Sequence, residues 1–407
     1  MPEPTLPEDA TTPAQTVDAS LPRPPQPWAA TSIPSTRSGP PYHMTEMIEA
    51  EPAFVRRLLA RLAVDPAVVR LADAIRYAAS AGTVVLTGCG TSEHGALAAA
   101  EILRGALRPE GLGSALVPSV QQAFELALDP PHDGLVLGIS HEGGTWATNL
   151  ALEAARSAGA RTALVTVTDR SPGAAFADPG LVVATAELDQ SWCHTIGYVS
   201  PIVVAAAIGA RIAGRPVDGA VVADVLAAGL EAAPAADAMA VGLAEAAHLV
   251  VVASGADRAA GRELVLKVEE AAWMPAAFRE LETMLHGHLP ATDERTALVL
   301  VLADPARRPE RLSRARQLLE AAREVGVLAG AIVAAGMHQQ LDPSLTPAGR
   351  IVSPEPPGLD ALLGAVLGPI VPLQLLAERL ARARGTDPDP IRRDDPRYRA
   401  AAQVVEG

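Results

Sequence analysis

Twice in this chain an apolar, β-branched run ends at a glycine-rich turn and opens straight into a helical pattern, and the pair of runs then recurs. "GTVVLTGCGTSEHGALAAAEIL" (82–103) returns as "HLVVVASGADRAAGRELVLKVEEAAW" (248–273). "GLVLGISHEGGTWATNLALEAARSAG" (134–159) returns as "TALVLVLADPARRPERLSRARQLLEAAREVG" (296–326), at an offset of about 165 residues. That offset is too long for a solenoid repeat and fits two copies of one α/β domain. Strand patterns alternating with helices, each strand apolar throughout, imply parallel sheets covered on both faces. Hydrophobic residues make up 49% of the chain and aromatics only 3%. The core must therefore be built from Ala, Val, Leu and Ile, which suits helices layered on such sheets.

The rest of the chain falls into place around these units. Residues 1–41 hold 11 of the 36 prolines and read as a disordered tail. Residues 42–80 read as a helical arm, "YHMTEMIEAEPAFVRRLLARL" followed by "AVVRLADAIRYAAS". The first α/β domain is expected over 81–215 and the second over 216–385, entered through helical segments near 216–246. "GLDALLGAVLGPIVPLQLLAERLARARG" reads as a closing helix and 386–407 as a polar tail. The expected fold is α/β, two doubly wound parallel sheets with helical N- and C-terminal arms.

Charge and cysteine content exclude some functions. A net charge of −14 argues against a nucleic-acid or anionic membrane surface. A small anion remains compatible, because a few backbone N–H groups can hold one locally. Two cysteines, Cys89 and Cys193, make no disulfide scaffold and read as small apolar fillers. With no basic-then-apolar leader in the first residues, a cytoplasmic location is expected. The longest apolar runs are interrupted by Gly, Pro or charge, so no membrane span is expected.

Candidate site residues cluster at the turns. "TGCGTSEHG" lacks the glycine spacing and the later acidic residue of a dinucleotide fingerprint. It reads instead as a tight turn or an anion site built from Thr91, Ser92 and helix N-terminal amides. Ser140 and Thr145 stand at the next such turn, although Thr145 is equally suited to be a plain N-cap. "LVLKVEEAAW" puts Lys267 and Glu270 one helical turn apart, either as a solvated ion pair or as a partly buried base whose proton affinity is raised. His286 and His288 in "MLHGHLP" lack a third ligand nearby. A proton-transferring histidine is the better reading there than a metal.

In this order the motifs resemble the tandem sugar-isomerase (SIS) domain family, over about residues 42–398. Its members include the isomerase half of glutamine:fructose-6-phosphate amidotransferase and the fructosamine-6-phosphate deglycases. "GCGTS" resembles the family's first sugar-phosphate loop. "ISHEGGT" stands where the family has Ile-Ser-Gln-Ser-Gly-Glu-Thr, and "ELVLKVEE" where it has Glu-Gly-Ala-Leu-Lys-Leu-Lys-Glu. The resemblance implies two tandem SIS domains and proton transfer between C1 and C2 of a sugar phosphate or amino sugar through an enediol(amine), as isomerase, deaminase or deglycase. It needs no cofactor and no metal. By resemblance Cys89, Gly90, Thr91, Ser92, Ser140, His141, Glu142, Thr145, His194 and Thr195 would line the substrate. Glu270 would carry the proton, with Lys267 beside it. His286 would open the ring from the neighbouring subunit of a homodimer. A protein that keeps the sugar site without catalysis is the other class the resemblance leaves open.

The departures are specific. His141 and Glu142 replace a glutamine and a serine. "WCHTIGY" keeps Thr195 but puts His194 at a serine. The lysine of the family's C-terminal tail is missing, and Arg393 and Arg397 stand there instead. With no glutaminase domain in residues 1–41, nitrogen from glutamine would require a separate glutaminase subunit. A phosphate dianion beside Glu142 would cost about 1–4 kcal/mol at effective dielectrics of 20 to 80. Three resolutions stay open in the sequence. Glu142 points away, His141 or His194 is protonated and neutralises it, or the ligand offers a hydroxyl or ammonium group there.

Overall fold

A computed structural model describes residues 37–108, 111, 118–186 and 189–406. The proline-rich stretch through residue 36 and most of the strand-like "GSALVPS" lie outside the described residues. Two helices open the described chain, α1 (His43–Leu62) and α2 (Pro66–Ala81). The boundaries of α2 are written locally. Asp65 caps it by accepting from the Ala67 N–H, Pro66 starts it, and Gly82 ends it in the left-handed region.

The first sheet holds β1 (Val84–Thr87), β2 (Ser119–Val120), β3 (Leu135–Ile139), β4 (Arg161–Thr166) and β5 (Val182–Ala184). They are all parallel, in the order β2-β1-β3-β4-β5. Its helices are α3 (Thr91–Leu107), α4 (Ala123–Leu128), α5 (Trp146–Ala158) and α6 (Ile196–Ala213). α7 (Gly219–Leu230) and α8 (Ala233–Leu243) lead to the second sheet: β6 (His248–Ala253), β7 (Ala276–Glu280), β8 (Thr296–Leu302), β9 (Leu328–Ala334) and β10 (Gly349–Ser353). These five are also parallel, in the order β10-β9-β8-β6-β7. Matched strand for strand, that is the order of the first sheet. α9 (Arg258–Ala272), α10 (Leu281–Thr283), α11 (Arg308–Val325) and α12 (Ala335–His338) belong to this half. α13 (Ala361–Leu367), α14 (Ile370–Arg384) and α15 (Pro396–Glu406) close the chain.

Three expectations need correction. The closing helix is broken between α13 and α14 at Gly368–Pro369, and the polar tail contains a helix, α15. α6 and the segment Ala361–Arg384 are long and apolar enough to cross a membrane by length and composition. The fold instead uses them as core: 78% and 89% of these windows are buried. One hydrophobic cluster runs from Met44 in α1 through both sheets to Ala381 in α14.

Candidate active site

In a sheet of this order, ligands bind beyond the carboxyl ends of the strands where the chain reverses direction, between β1 and β3. Both turns there are built for close approach. A Cβ on Gly88 would lie 2.8 Å from the Ser92 carbonyl carbon and 2.9 Å from the Glu93 nitrogen, so only glycine lets α3 start this close to β1. Gly143 has φ +70°, and a Cβ there would lie 2.3 Å from Ser171 Oγ. Thr145 occupies the N-cap position of α5, yet its side chain makes no cap hydrogen bond. Ser140 Oγ donates to Thr145 Oγ1 at 3.3 Å instead, which pairs the two hydroxyls at the head of α5. Cys89 Sγ lies 3.8 Å from Thr148 Oγ1, and burial pushes its thiol pKa up.

The base of the crevice is closed by α9, whose Leu266 lies under Gly90. Glu263, Lys267 and Glu270 lie along one helix face at i, i+4 and i+7. Lys267 is fully buried. Its ammonium donates to Glu270 Oε2 at 2.7 Å and Thr91 Oγ1 at 2.9 Å, and lies 3.4 Å from Glu263 Oε1. Burial opposes its charge, but the carboxylates of Glu263 and Glu270 raise its pKa above the ordinary lysine value. Glu263 is as deeply buried, and burial alone would push its carboxyl up. Lys267, with hydrogen bonds from His94 at 2.8 Å and Thr91 at 3.2 Å, holds it below the usual range. Glu270 differs, because its side chain keeps 22% of its exposure. Burial raises its pKa above the ordinary value despite Lys267. Cys193 is fully buried in the hydrophobic core, as its reading as a small apolar filler expects.

The third wall is the start of α6. Asp189 accepts from the backbone N–H groups of Thr195, Ile196 and Gly197 at 2.6 to 3.1 Å, and from the Thr195 hydroxyl at 3.0 Å. The chain's own carboxylate therefore fills this helix N-terminus, and the fully buried Thr195 hydroxyl is spent on it. His141 Nε2 accepts from the Asp189 N–H at 3.1 Å. The His141 and His194 rings pack at 4.9 Å between centroids. Burial lowers the pKa of His141, with Asp189 opposing. Burial and then His141 push His194 down to about 4. Both shifts favour the neutral imidazoles, which speaks against the alternative in which one of them neutralises Glu142. Burial, and then Asp189, raise the pKa of Glu142 itself.

Hydrogen bonds join Thr91, Lys267 and Glu270, with Gly90 and Ser92 in the first turn; Ser140 pairs with Thr145 and His141 packs on His194, while Thr195 is held by Asp189 and Glu142 is half-buried in the β3–α5 turn. His286 stands apart: its side chain is 71% exposed and bonded to Glu282 at 2.7 Å. Arg393 stacks on Trp192 at 4.8 Å, next to Cys193, while Arg397 is exposed and paired with Asp395. Sequence reasoning passes over Asp189, His94 and Glu263. For Glu263 there is a local signal, its i, i+4 spacing to Lys267. His94 and Asp189 carry none, since their roles depend on partners brought close by the fold. Two cavities of about 690 and 420 Å³ lie elsewhere, along α6 and the entry to α7. Both are lined mainly by small apolar residues, and the first also by Arg108, Arg215, Asp218 and Asp360.

No protein-family model matches the chain, and no curated protein matches it in sequence. Solved structures do match. The C-terminal domain of glucosamine-fructose-6-phosphate aminotransferase from Francisella tularensis superposes with a TM-score of 0.71 at 19% identity, covering 87% of this chain and 99% of that one. Tagatose-6-phosphate ketose/aldose isomerase from Escherichia coli gives 0.65 at 18% identity, over 89% of this chain and 98% of that one. Glucosamine-6-phosphate deaminase from Thermotoga maritima gives 0.62 at 16% identity, over 85% and 96%. At such identities the likeness is one of fold: the chain has the tandem SIS architecture of the phosphosugar isomerases, two parallel five-stranded α/β sheets in one polypeptide.

Proposed function

We propose that this chain is an SIS-type isomerase or deaminase that moves a proton between C1 and C2 of a sugar phosphate or amino-sugar derivative, with Glu270 as the base. The observation that carries the reading is the state of Glu270. It is a partly exposed carboxylate whose proton affinity is raised by burial and whose position is fixed by the buried Lys267. A base whose pKa is raised toward the working pH transfers protons more effectively than a free carboxylate. Lys267 is a positioning residue in this reading: its donors end on Thr91, Glu263 and Glu270, leaving none for substrate. Ser140, Thr145 and the head of α5 orient the substrate.

His286 enters only if a second copy brings it to the crevice, because within its own chain it pairs with Glu282. The proposal therefore includes a homodimer with shared sites. A separate glutaminase subunit would be needed only for an amidotransferase reaction.

A non-catalytic sugar-binding role is the second reading. One observation favours it: the Thr91 hydroxyl donates to Glu263 and accepts from Lys267, so it is spent inside the protein. Proton NMR in D₂O separates the two readings. The wild type is expected to wash out the C1 or C2 proton of its sugar, and Glu270→Gln to slow this about 10²–10⁴-fold while still binding. Equal exchange by both proteins would remove Glu270 from the mechanism.

A further inference from the structure

Among the described residues nearly every arginine side chain is engaged with a carboxylate, a carbonyl or an aromatic ring. The exceptions are Arg108, Arg170, Arg211 and Arg215, whose guanidinium groups make no hydrogen bond, ion pair or ring contact there. Three of these four gather at one end of α6. Arg108 and Arg215 line the cavity of about 690 Å³, and Arg211 lines that of about 420 Å³. Ala210, Pro216 and Val217 line both, so the two cavities adjoin. In a chain of net charge −14, three guanidinium groups without counter-ions around one recess mark a place for an anion.

The walls between the arginines are apolar. α3 contributes Ile102 and Ala106, α6 contributes Ala206 and Ala213, and α13 contributes Leu362 and Leu363. Two acids, Asp218 and Asp360, also line the larger cavity, and both serve as helix caps. Asp218 accepts from the Ala220 N–H at 2.8 Å, and Asp360 from the Leu362 and Leu363 N–H groups at 3.1 and 3.3 Å. Each carboxylate thus faces the positive end of the helix it caps. Arg108 is the C-cap of α3, and Arg215 follows Gly214, the C-cap of α6. The helix dipole favours a cation at both places, but neither guanidinium donates to a terminal carbonyl, so their donors stay open.

A carboxylate or phosphate head matches the planar fork of donors that each guanidinium offers. An apolar body behind that head would cover the alanine and leucine wall and remove it from water. The larger cavity falls within the roughly 300–1,000 Å³ of small-molecule sites. It is also separate from the candidate active site. α3 and α6 both begin there and run 17 and 18 residues, which sets their far ends about 25 Å away. We propose that this recess is a second ligand site, which takes a free amphipathic anion: a carboxylate or phosphate monoester on an apolar body. The inference goes beyond the function proposed above and stands or falls without it.

Titration calorimetry on the full-length protein tests it with octanoate and octyl phosphate, which also separate the two head groups. Octanamide keeps the body without the charge, and acetate and inorganic phosphate keep the charge without the body. At least one octyl anion is expected to bind about tenfold or more tightly than octanamide and than its own bare head group. The triple variant Arg108→Gln, Arg211→Gln, Arg215→Gln should weaken that anion about tenfold and change octanamide less than about threefold. Ala210→Trp, which fills the wall common to both cavities, should weaken anion and amide alike. Thermal melts confirm that both variants are folded. Equal binding of octanoate, octyl phosphate and octanamide would overturn the inference, because the arginines would then select nothing. An anion affinity unchanged in the triple variant or in Ala210→Trp would place binding elsewhere and overturn it too. So would no binding of any octyl compound. Sedimentation with phosphatidylglycerol vesicles, without binding of the free anions, would assign the arginines to a membrane surface and refute a small-molecule site.

Discussion

Lys267 holds the crevice together because it is buried with two carboxylates and cannot be removed without stranding them. Replacing one partner of a buried charge cluster costs more than the cluster itself contributes, since the remaining charges keep their desolvation penalty. Lys267→Met is expected to lose about 3–5 kcal/mol in urea unfolding at pH 7. The pH dependence has a definite sign. In the wild type the Glu263 carboxyl is held below its unfolded value. Its contribution is therefore present above the unfolded glutamate pKa and lost as pH falls through the folded one. In the variant both carboxyls are raised, so the folded state binds more protons than the unfolded and gains stability as pH falls. The gap between the two proteins should narrow from pH 7 to pH 4.5, and a constant gap would mean that packing, not charge, is what Lys267 supplies. Lys267 and Glu270 were legible because helical spacing puts i and i+3 on one face. His94 and Asp189 were invisible because their partners are set by tertiary contact: His94 meets Glu263 across 169 residues of sequence.

At the scale of elements, the start of α6 is the most heavily capped of the described helix ends. Asp218 caps α7 with one bond to the Ala220 N–H. Asp189 takes three amides and a hydroxyl. A single cap contributes about 1 kcal/mol, so Asp218→Ala should cost that much. Asp189→Ala should cost about 2–3 kcal/mol, because buried amides are left without acceptors. Chemical unfolding of both variants checks this, and equal losses would show that water replaces Asp189. The elements themselves were largely legible. β1, β3, β4, β6 and β8 are short apolar runs bounded by glycine or charge, and their helices begin where the pattern changes period. β7, "AAFRE", was not legible. It is half-exposed, has a charged end, and lies at the sheet edge, where neighbouring β6 rather than its own composition makes it a strand. The break between α13 and α14 was hidden because Gly368 and Pro369 sit inside one continuous apolar pattern.

At the scale of the molecule, two sheets of one topology have crevices with different contents. In the second sheet the place between β6 and β8 is filled by the chain's own groups. Asp257 accepts from the Ala303 and Asp304 N–H groups, and Asp304 pairs with Arg311 at 3.1 Å. At the first turn, Thr91 instead reaches across to Lys267 and Glu263 of the second half, so the two halves meet at this cluster. They also share one core, which runs through α1, α6, α9 and α14. Asp389, beyond α14, caps α1 by accepting from the His43 and Met44 N–H groups, and Arg384 donates to the Ala272 carbonyl behind α9. Chains of this length commonly unfold domain by domain. Here separating the halves would expose the apolar faces of α9 and α14 and uncover Lys267 with its carboxylates, so partly unfolded states carry much of the cost of full unfolding. The expectation is a single transition in urea, with far-UV circular dichroism and the fluorescence of Trp192 and Trp273 superimposing. Those two tryptophans flank the site from opposite halves, so a fluorescence change that precedes the loss of helix would show the site opening while both sheets persist, and would refute the shared-core argument.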